Sequence, residues 1–298
     1  MRSLPIARRL DRLPFMLNAL SGAVRITRPL NCLGALGSVI LGGYIVNGST
    51  HEPRLWLAAA IAAGITGGGN AINDWFDLKV DSISKPHRVL PSGQLTPSVA
   101  AILGWGLLAL SASASFMLGP LMASVAVSMA GLALLYSWKL KRTFLIGNLL
   151  VSFLSAMTVA YGGLAVGAVK PTLVPAIMVF LFMLSREILK TVEDLEGDSR
   201  VGLRTVAVVS GKMWTLRLFS ILALMVALLS PLPWVAGIVS ATYVRIALPW
   251  IATVMLAAAV FLPRHPSDRN IRLTLLVTKL DWLVWLFAMF VGVRQTLG

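Results

Sequence analysis

Nine blocks of about 20 largely charge-free residues follow one another along this chain, separated by short polar connections. A run of that length is what an α-helix needs to cross a bilayer core. The pattern predicts spans at 26–47, 55–73, 97–116, 120–138, 146–167, 172–191, 214–231, 236–262 and 273–293. Gly119-Pro120, Pro171, Pro231 with Pro233, and Pro263 with Pro266 mark the connections. Pro249 falls inside the eighth block and predicts a kink there. The stretch 1–24 carries Arg8, Arg9, Asp11 and Arg12 ahead of apolar residues and lacks a signal-peptide cleavage pattern, so it predicts an interfacial helix. The expected fold is an all-α, polytopic membrane bundle of about nine helices, forming a single domain over 1–298. Its central cavity is expected to open near the cytoplasmic side.

Composition supports this reading: 57% of the residues are hydrophobic, 13% are charged, and the mean hydropathy is +0.82. The chain carries 26 Lys and Arg against 12 Asp and Glu. That excess would suit nucleic acid on a soluble protein, but here the cations sit between spans, which argues for topology instead. One side collects Arg2, Arg8, Arg9, Arg12, Arg25, Arg28, Lys79, Lys85, Arg88, Lys139, Lys141 and Arg142. It also holds Arg186, Lys190, Arg200, Arg204, Lys212, Arg217, Arg264, Arg269 and Arg272. The other side has Arg54, Lys170 and Arg294. The positive-inside bias puts the first side in the cytoplasm of a cell-membrane protein. Arg245 and Lys279 fall within spans and call for partners or a polar cavity. Cys32 is the single cysteine, so no intrachain disulfide can form.

The acids are distributed unevenly. Eight of the twelve fall in two segments on the basic side, Asp74–Asp81 and Glu187–Asp198. Asn70, Asn73, Asp74, Asp77 and Asp81 share one helix face. Glu187, Lys190, Thr191, Asp194 and Asp198 repeat that spacing 117 residues later. Like charges held close together oppose one another's ionisation. Both segments are expected at helix C-termini, where the helix dipole also disfavours anions. A divalent cation resolves both difficulties. Two facing carboxylate stripes suit Mg²⁺, which takes one or two carboxylates plus water and substrate phosphate oxygens. Lys85 and Arg88, in a loop stiffened by Pro86, Pro91 and Gly93, are candidates to grip phosphate oxygens. The plainer alternative is a set of solvated charges paired with Lys79, Lys85, Lys190 and Arg200. Two matched stripes in so acid-poor a chain favour the metal. His51, His87 and His265 have no zinc-site spacing, and no Ser/His/Asp or phosphate-binding glycine motif is present.

Asn73-Asp74-Trp-Phe-Asp77-Leu-Lys-Val-Asp81, with Pro86, Arg88 and Leu90-Pro-Ser-Gly93, resembles the first signature of the UbiA superfamily of intramembrane prenyltransferases. Arg186-Glu-Ile-Leu-Lys190-Thr-Val-Glu-Asp194-Leu-Glu-Gly-Asp198 resembles the second. Tyr136 to Lys141 with Gly147-Asn148, and Arg28-Pro-Leu-Asn31-Cys32, are also similar to family segments. Lys85 and Val89 depart from the Arg or Asn and the Pro common among relatives. Within the superfamily, the Arg28 and Arg186 segments look most like the branch that makes archaeal-type ether lipids. Asn-Asp-Trp-Phe-Asp is similar to chlorophyll synthases as well.

The resemblance implies Mg²⁺-dependent transfer of a prenyl group from an allylic diphosphate. The metal would sit on Asp74, Asp77, Asp81, Asp194 and Asp198, with Tyr136 and Lys190 in the catalytic set. Asn70, Asn73, Lys85, Arg88, Lys141, Asn148, Arg186, Arg28 and Asn31 would bind substrate. Geranylgeranyl diphosphate is the expected donor and the hydroxyl of geranylgeranylglyceryl phosphate the expected acceptor, in ether-lipid synthesis. An aromatic or tetrapyrrole acceptor remains open. A divalent-cation transporter is the alternative of another class; it predicts acids near mid-membrane rather than at one end. Membrane lipid is the expected surroundings, and nucleic acid is not an expected partner.

Overall fold

The computed structural model describes residues 12–293, with side chains from residue 18 onward. Arg2, Arg8, Arg9 and Arg294 lie outside the described residues. The helices are α1 (Arg12–Ile26), α2 (Pro29–Asn47), α3 (Pro53–Ser84), α4 (Pro97–Ser115), α5 (Pro120–Trp138), α6 (Ile146–Ala165) and α7 (Leu173–Glu193). Then come α8 (Leu195–Arg200), α9 (Val206–Ser210), α10 (Lys212–Leu229), α11 (Leu232–Val235), α12 (Ala241–Ala247), α13 (Thr253–Arg264) and α14 (Asp268–Gly292). Among the described residues nine helical stretches are long and apolar enough to span a membrane, and no strand forms beyond one isolated bridge, Val239 to Val293.

Sequence punctuation explains many of the helix starts. Pro29, Pro53, Pro97 and Pro120 each open a helix, where the missing N–H costs nothing and the fixed φ already suits the helix. Thr96 caps α4 by accepting the Val99 N–H, and Ser267 caps α14 by accepting that of Asn270.

The structure corrects several boundaries. Hydropathy ends the second span at 73, yet α3 runs unbroken from Pro53 to Ser84, 32 residues in all. At 1.5 Å per residue it is roughly 48 Å long, well beyond the ~30 Å hydrocarbon core. Charge ended the apolar run, but no helix breaker occurs before Lys85-Pro86. The first acidic group therefore lies on the last turns of a continuous helix. The eighth span starts at Ala241, since Gly237 (φ 75°) turns the chain before it. Around Pro249 the α-helical ladder gives way to a π-helical turn, Leu248–Ala252, which accommodates the ring and the lost N–H. Arg245 and Lys279 do not occupy a polar cavity. Both are exposed on the outside of the bundle, where their stems can run along the apolar surface towards the membrane interface.

Two large apolar cores, with two smaller clusters beside them, fill the bundle. One joins Val39, Ile40, Leu55, Ile61, Met122 and Tyr161 in the first half. The other joins Leu41, Val159, Phe182, Leu189, Phe219, Tyr243, Met255 and Trp285, mainly from the second half. Helices α2 and α6 contribute to both. They pack backbone to backbone: a Cβ on Gly42 would collide with the Val159 carbonyl, and one on Gly162 with the Val39 carbonyl. Within a membrane such small-residue contacts replace the hydrophobic drive between helices. Gly162→Leu is therefore expected to destabilise the protein by about 1–3 kcal/mol or more. Gly131→Leu, at a position with nothing within 4 Å, should be neutral. Thermal unfolding of the two variants in detergent measures the difference.

Candidate active site

Helix periodicity turns Asp74, Asp77 and Asp81 of α3 inward, leaving them only 7%, 9% and 5% exposed. Each meets a cation brought by a different connection. Arg28, between α1 and α2, reaches Asp74 at 2.6 Å. Arg88, in the α3–α4 loop, contacts Asp81 at 2.6 Å and Asp74 at 3.8 Å. Lys141, in the 3₁₀ turn between α5 and α6, pairs with Asp77. Asn73 supports that pair: its amide donates to Asp77 at 3.2 Å and its carbonyl accepts from Lys141 at 3.3 Å. Asn70 donates to the Thr27 carbonyl at 3.0 Å.

Local structure fixes these cations. Arg28 adopts a left-handed backbone (φ 54°) as it caps α2, a conformation costly for a side chain of its size. The Arg88 loop is anchored by Val89, Leu90 and Leu95, which bury against Ile26, Ala71 and Ala100. Lys141 lies where the chain passes against Gly147; a Cβ there would sit 2.8 Å from both the Leu140 carbonyl and the Lys141 Cα. Burial opposes charge on Arg88, but Asp81 and Asp74 outweigh it and raise its pKa. Burial wins at Lys141, pulling its pKa down against Asp77.

The second acidic segment bends away from the single ladder that its spacing predicts. Helix α7 ends at Glu193, Asp194 closes it, and Asp198 lies on the separate helix α8. Glu187 is buried and pairs with Lys190 at 2.7 Å, so Lys190 turns towards Glu187 rather than Asp194. Asp194 instead receives Lys85, from the loop after the first cluster, at 2.7 Å. Gly197 packs against Ser84 at the end of α3, its virtual Cβ 3.1 Å from the serine's. The two acidic segments thus meet. Burial and the neighbouring charge of Asp194 push the Asp198 carboxyl up to about 6.

Residues 35–287 match the UbiA prenyltransferase family. The chain belongs to that family. It is a multi-pass membrane prenyltransferase. It is 36% identical over 236 residues to the digeranylgeranylglyceryl phosphate synthase of Methanopyrus kandleri, covering 79% of this chain and 86% of that one. The synthase of the same name from Ignicoccus hospitalis is 40% identical over 201 residues, covering 65% and 66%. A solved structure concerning digeranylgeranylglyceryl phosphate synthase in membranes superposes with a TM-score of 0.73 at 28% identity, covering 92% of this chain and 98% of that one. A UbiA homologue from Archaeoglobus fulgidus, bound to GPP and Mg²⁺, shares the fold with a TM-score of 0.67 at 17% identity over 91% and 99%.

Within this UbiA bundle the remaining candidates are not equally placed. Tyr136 lies within electrostatic reach of residues of both clusters, Glu187 and Asp194 of the second and Asp77 of the first, and of Arg28. The Asn148 amide donates to the Glu187 carbonyl at 3.2 Å. Arg186 turns towards α14, donating to the Leu275 carbonyl at 3.3 Å. Asn31 is exposed, and its side chain makes no hydrogen bond among the described residues. Sequence reasoning passed over Asp281, which is 2% exposed in α14. A lone acid inside a span was the available signal.

Among the described residues no three His, Cys, Asp or Glu side chains converge closely enough to hold a metal unaided. Every buried aspartate of α3 is matched by a cation instead. Such a donor set fits Mg²⁺ shared with phosphate oxygens, one or two carboxylates at a time, rather than an all-protein cage. Asp198, whose ionisation is opposed by burial and by the neighbouring Asp194, fits the same requirement. The contact between the clusters is directly testable. Ser84→Cys with Gly197→Cys, in a Cys32→Ser background, should oxidise to an intramolecular disulfide, because the Cβ separation is near bonding range. Maleimide labelling on a gel before and after reduction reports it.

Proposed function

We propose that this UbiA protein transfers a geranylgeranyl group from geranylgeranyl diphosphate to the free hydroxyl of geranylgeranylglyceryl phosphate, forming an ether. The observation that carries the reading is the Lys85–Asp194 bridge, which brings cations and carboxylates from both clusters to one place. Departure of diphosphate builds negative charge on its oxygens, and groups aimed at that charge lower the barrier. Arg28, Arg88, Lys85 and Lys141 would turn to those oxygens when the donor arrives. Asp74, Asp77 and Asp81 on one side and Asp194 and Asp198 on the other would hold Mg²⁺, which neutralises the leaving group when bound. Asn70 and Asn73 would orient the α3 carboxylates, and Tyr136 would face the reacting carbon. Asn148 would hold the α7 backbone, and Lys190 would supply a further positive charge. Arg186 would meet the acceptor.

The choice of acceptor is supported by the relatives at 34–40% identity that are named digeranylgeranylglyceryl phosphate synthases. We place the site on the cytoplasmic face. The segments at the acidic end touch one another, with Arg204 donating to the Arg142 carbonyl at 3.3 Å and Lys212 pairing with Asp268 at 3.2 Å. That end gathers most of the chain's cations.

Purified protein offered prenyl diphosphates of several lengths, with glyceryl lipid and aromatic acceptors, should give the digeranylgeranyl ether by mass spectrometry. EDTA should abolish the product and Mg²⁺ restore it. Asp77→Ala and Asp194→Ala should each lower turnover by about 10²–10³-fold or more while inserting normally into the membrane. Undiminished turnover in either variant overturns the site assignment, and a prenylated ring carbon in place of an ether overturns the acceptor.

A further inference from the structure

Beyond the charged end, a second polar group lies inside the bundle. Asp281 of α14 is 2% exposed, and its Oδ2 has no hydrogen-bond partner. Arg186 of α7 lies within electrostatic reach of it, yet the two form no ion pair, and the buried Arg186 Nε is likewise unpartnered. A buried charge left unpaired is expensive, and a pair kept for stability would close. These two are held apart on a wall that is otherwise apolar and aromatic. Phe182 stacks on Trp282 at 5.9 Å, and Trp282 on Trp285 at 5.1 Å.

The level of this group in the bundle follows from helix rise. Arg186 lies about 12 Å along α7 from Asp194, at 1.5 Å per residue. Trp282 packs beside Gly34, which is about 9 Å along α2 from Arg28. Arg186 and the Asp281–Trp282 turn of α14 therefore lie deeper in the bundle than the cations that would grip the diphosphate, on the side into which the donor's prenyl chain would run.

Resting on the ether-forming reading above, we propose that Asp281 receives the acceptor hydroxyl and takes its proton. The oxygen's electron pair forms the new bond to the allylic C1 of the donor. The bond from C1 to diphosphate oxygen breaks, its electron pair leaving with the diphosphate, and the hydroxyl proton passes to the Asp281 carboxylate. Arg186, on the facing helix, positions that carboxylate from a distance and balances its charge.

The test uses the full-length protein in detergent or nanodiscs with geranylgeranyl diphosphate, Mg²⁺, geranylgeranylglyceryl phosphate and the same lipid lacking its free hydroxyl. Asp281→Asn should lower kcat for ether formation by about 10²–10⁴-fold, the usual contribution of a positioned base. Donor affinity, read by titration of tryptophan fluorescence, should stay near the wild-type value, which also shows that the variant folds. Wild type should bind the hydroxyl lipid more tightly than the deoxy lipid, and Asp281→Asn should lose that preference. Asp281→Glu should recover part of the rate. Ether formation by Asp281→Asn within about fivefold of wild type overturns the inference alone. So does a parallel loss of donor affinity, or an unchanged preference for the hydroxyl lipid. Failure of wild type to prenylate any hydroxyl acceptor overturns the ether-forming reading, and this inference with it.

Discussion

Buried carboxylates must be matched by positive charge, and that requirement organises one whole end of this molecule. Asp74, Asp77 and Asp81 come from one helix, but their partners arrive from three connections that are far apart in sequence. The packing of α1, α2, α5 and α6 around α3 is thereby tied to charge as well as to apolar fit. In a low-dielectric interior such pairs recover at most part of their desolvation penalty, so apolar residues of similar volume would hold the helices together as well or better. The arrangement is better understood as a device for exchange. Under the proposed reaction, each carboxylate and each cation would give up its partner when a polyanion and a metal ion offered both of them another.

The helices were legible because each apolar block is long, and because proline marks so many of the starts. Helix ends were less so. Hydropathy falls at Asp74, but the backbone of α3 goes on hydrogen-bonding to Ser84, since helices end at breakers and not at charges. The two matched stripes suggested facing segments, and the structure brings the two segments into contact through Lys85–Asp194 and Gly197–Ser84. They could not show that α7 would end at Glu193 and leave Asp198 on a helix of its own. Pairings were the least legible. Spacing makes Lys190 a neighbour of both Glu187 and Asp194, and only the end of the helix decides between them. Asn31 sits beside a catalytic-looking arginine in sequence, yet the first turn of α2 points it outward.

The aromatic wall has its own physical logic. Phe182, Trp282 and Trp285 contribute large flat surfaces with little conformational freedom. A developing allylic cation is stabilised by the electron-rich faces of such rings and shielded by them from water. Asp281 is buried on the same helix as Trp282 and Trp285, and the half-buried Arg186 of α7 lies within electrostatic reach of it.

The sharing of α2 and α6 between the two cores has a mechanical consequence. With Gly42 and Gly162 each seated against the other helix's backbone, the halves of the bundle have no seam along which to hinge. The glycine contact thus serves as a common keel: whatever displaces it shifts both cores together.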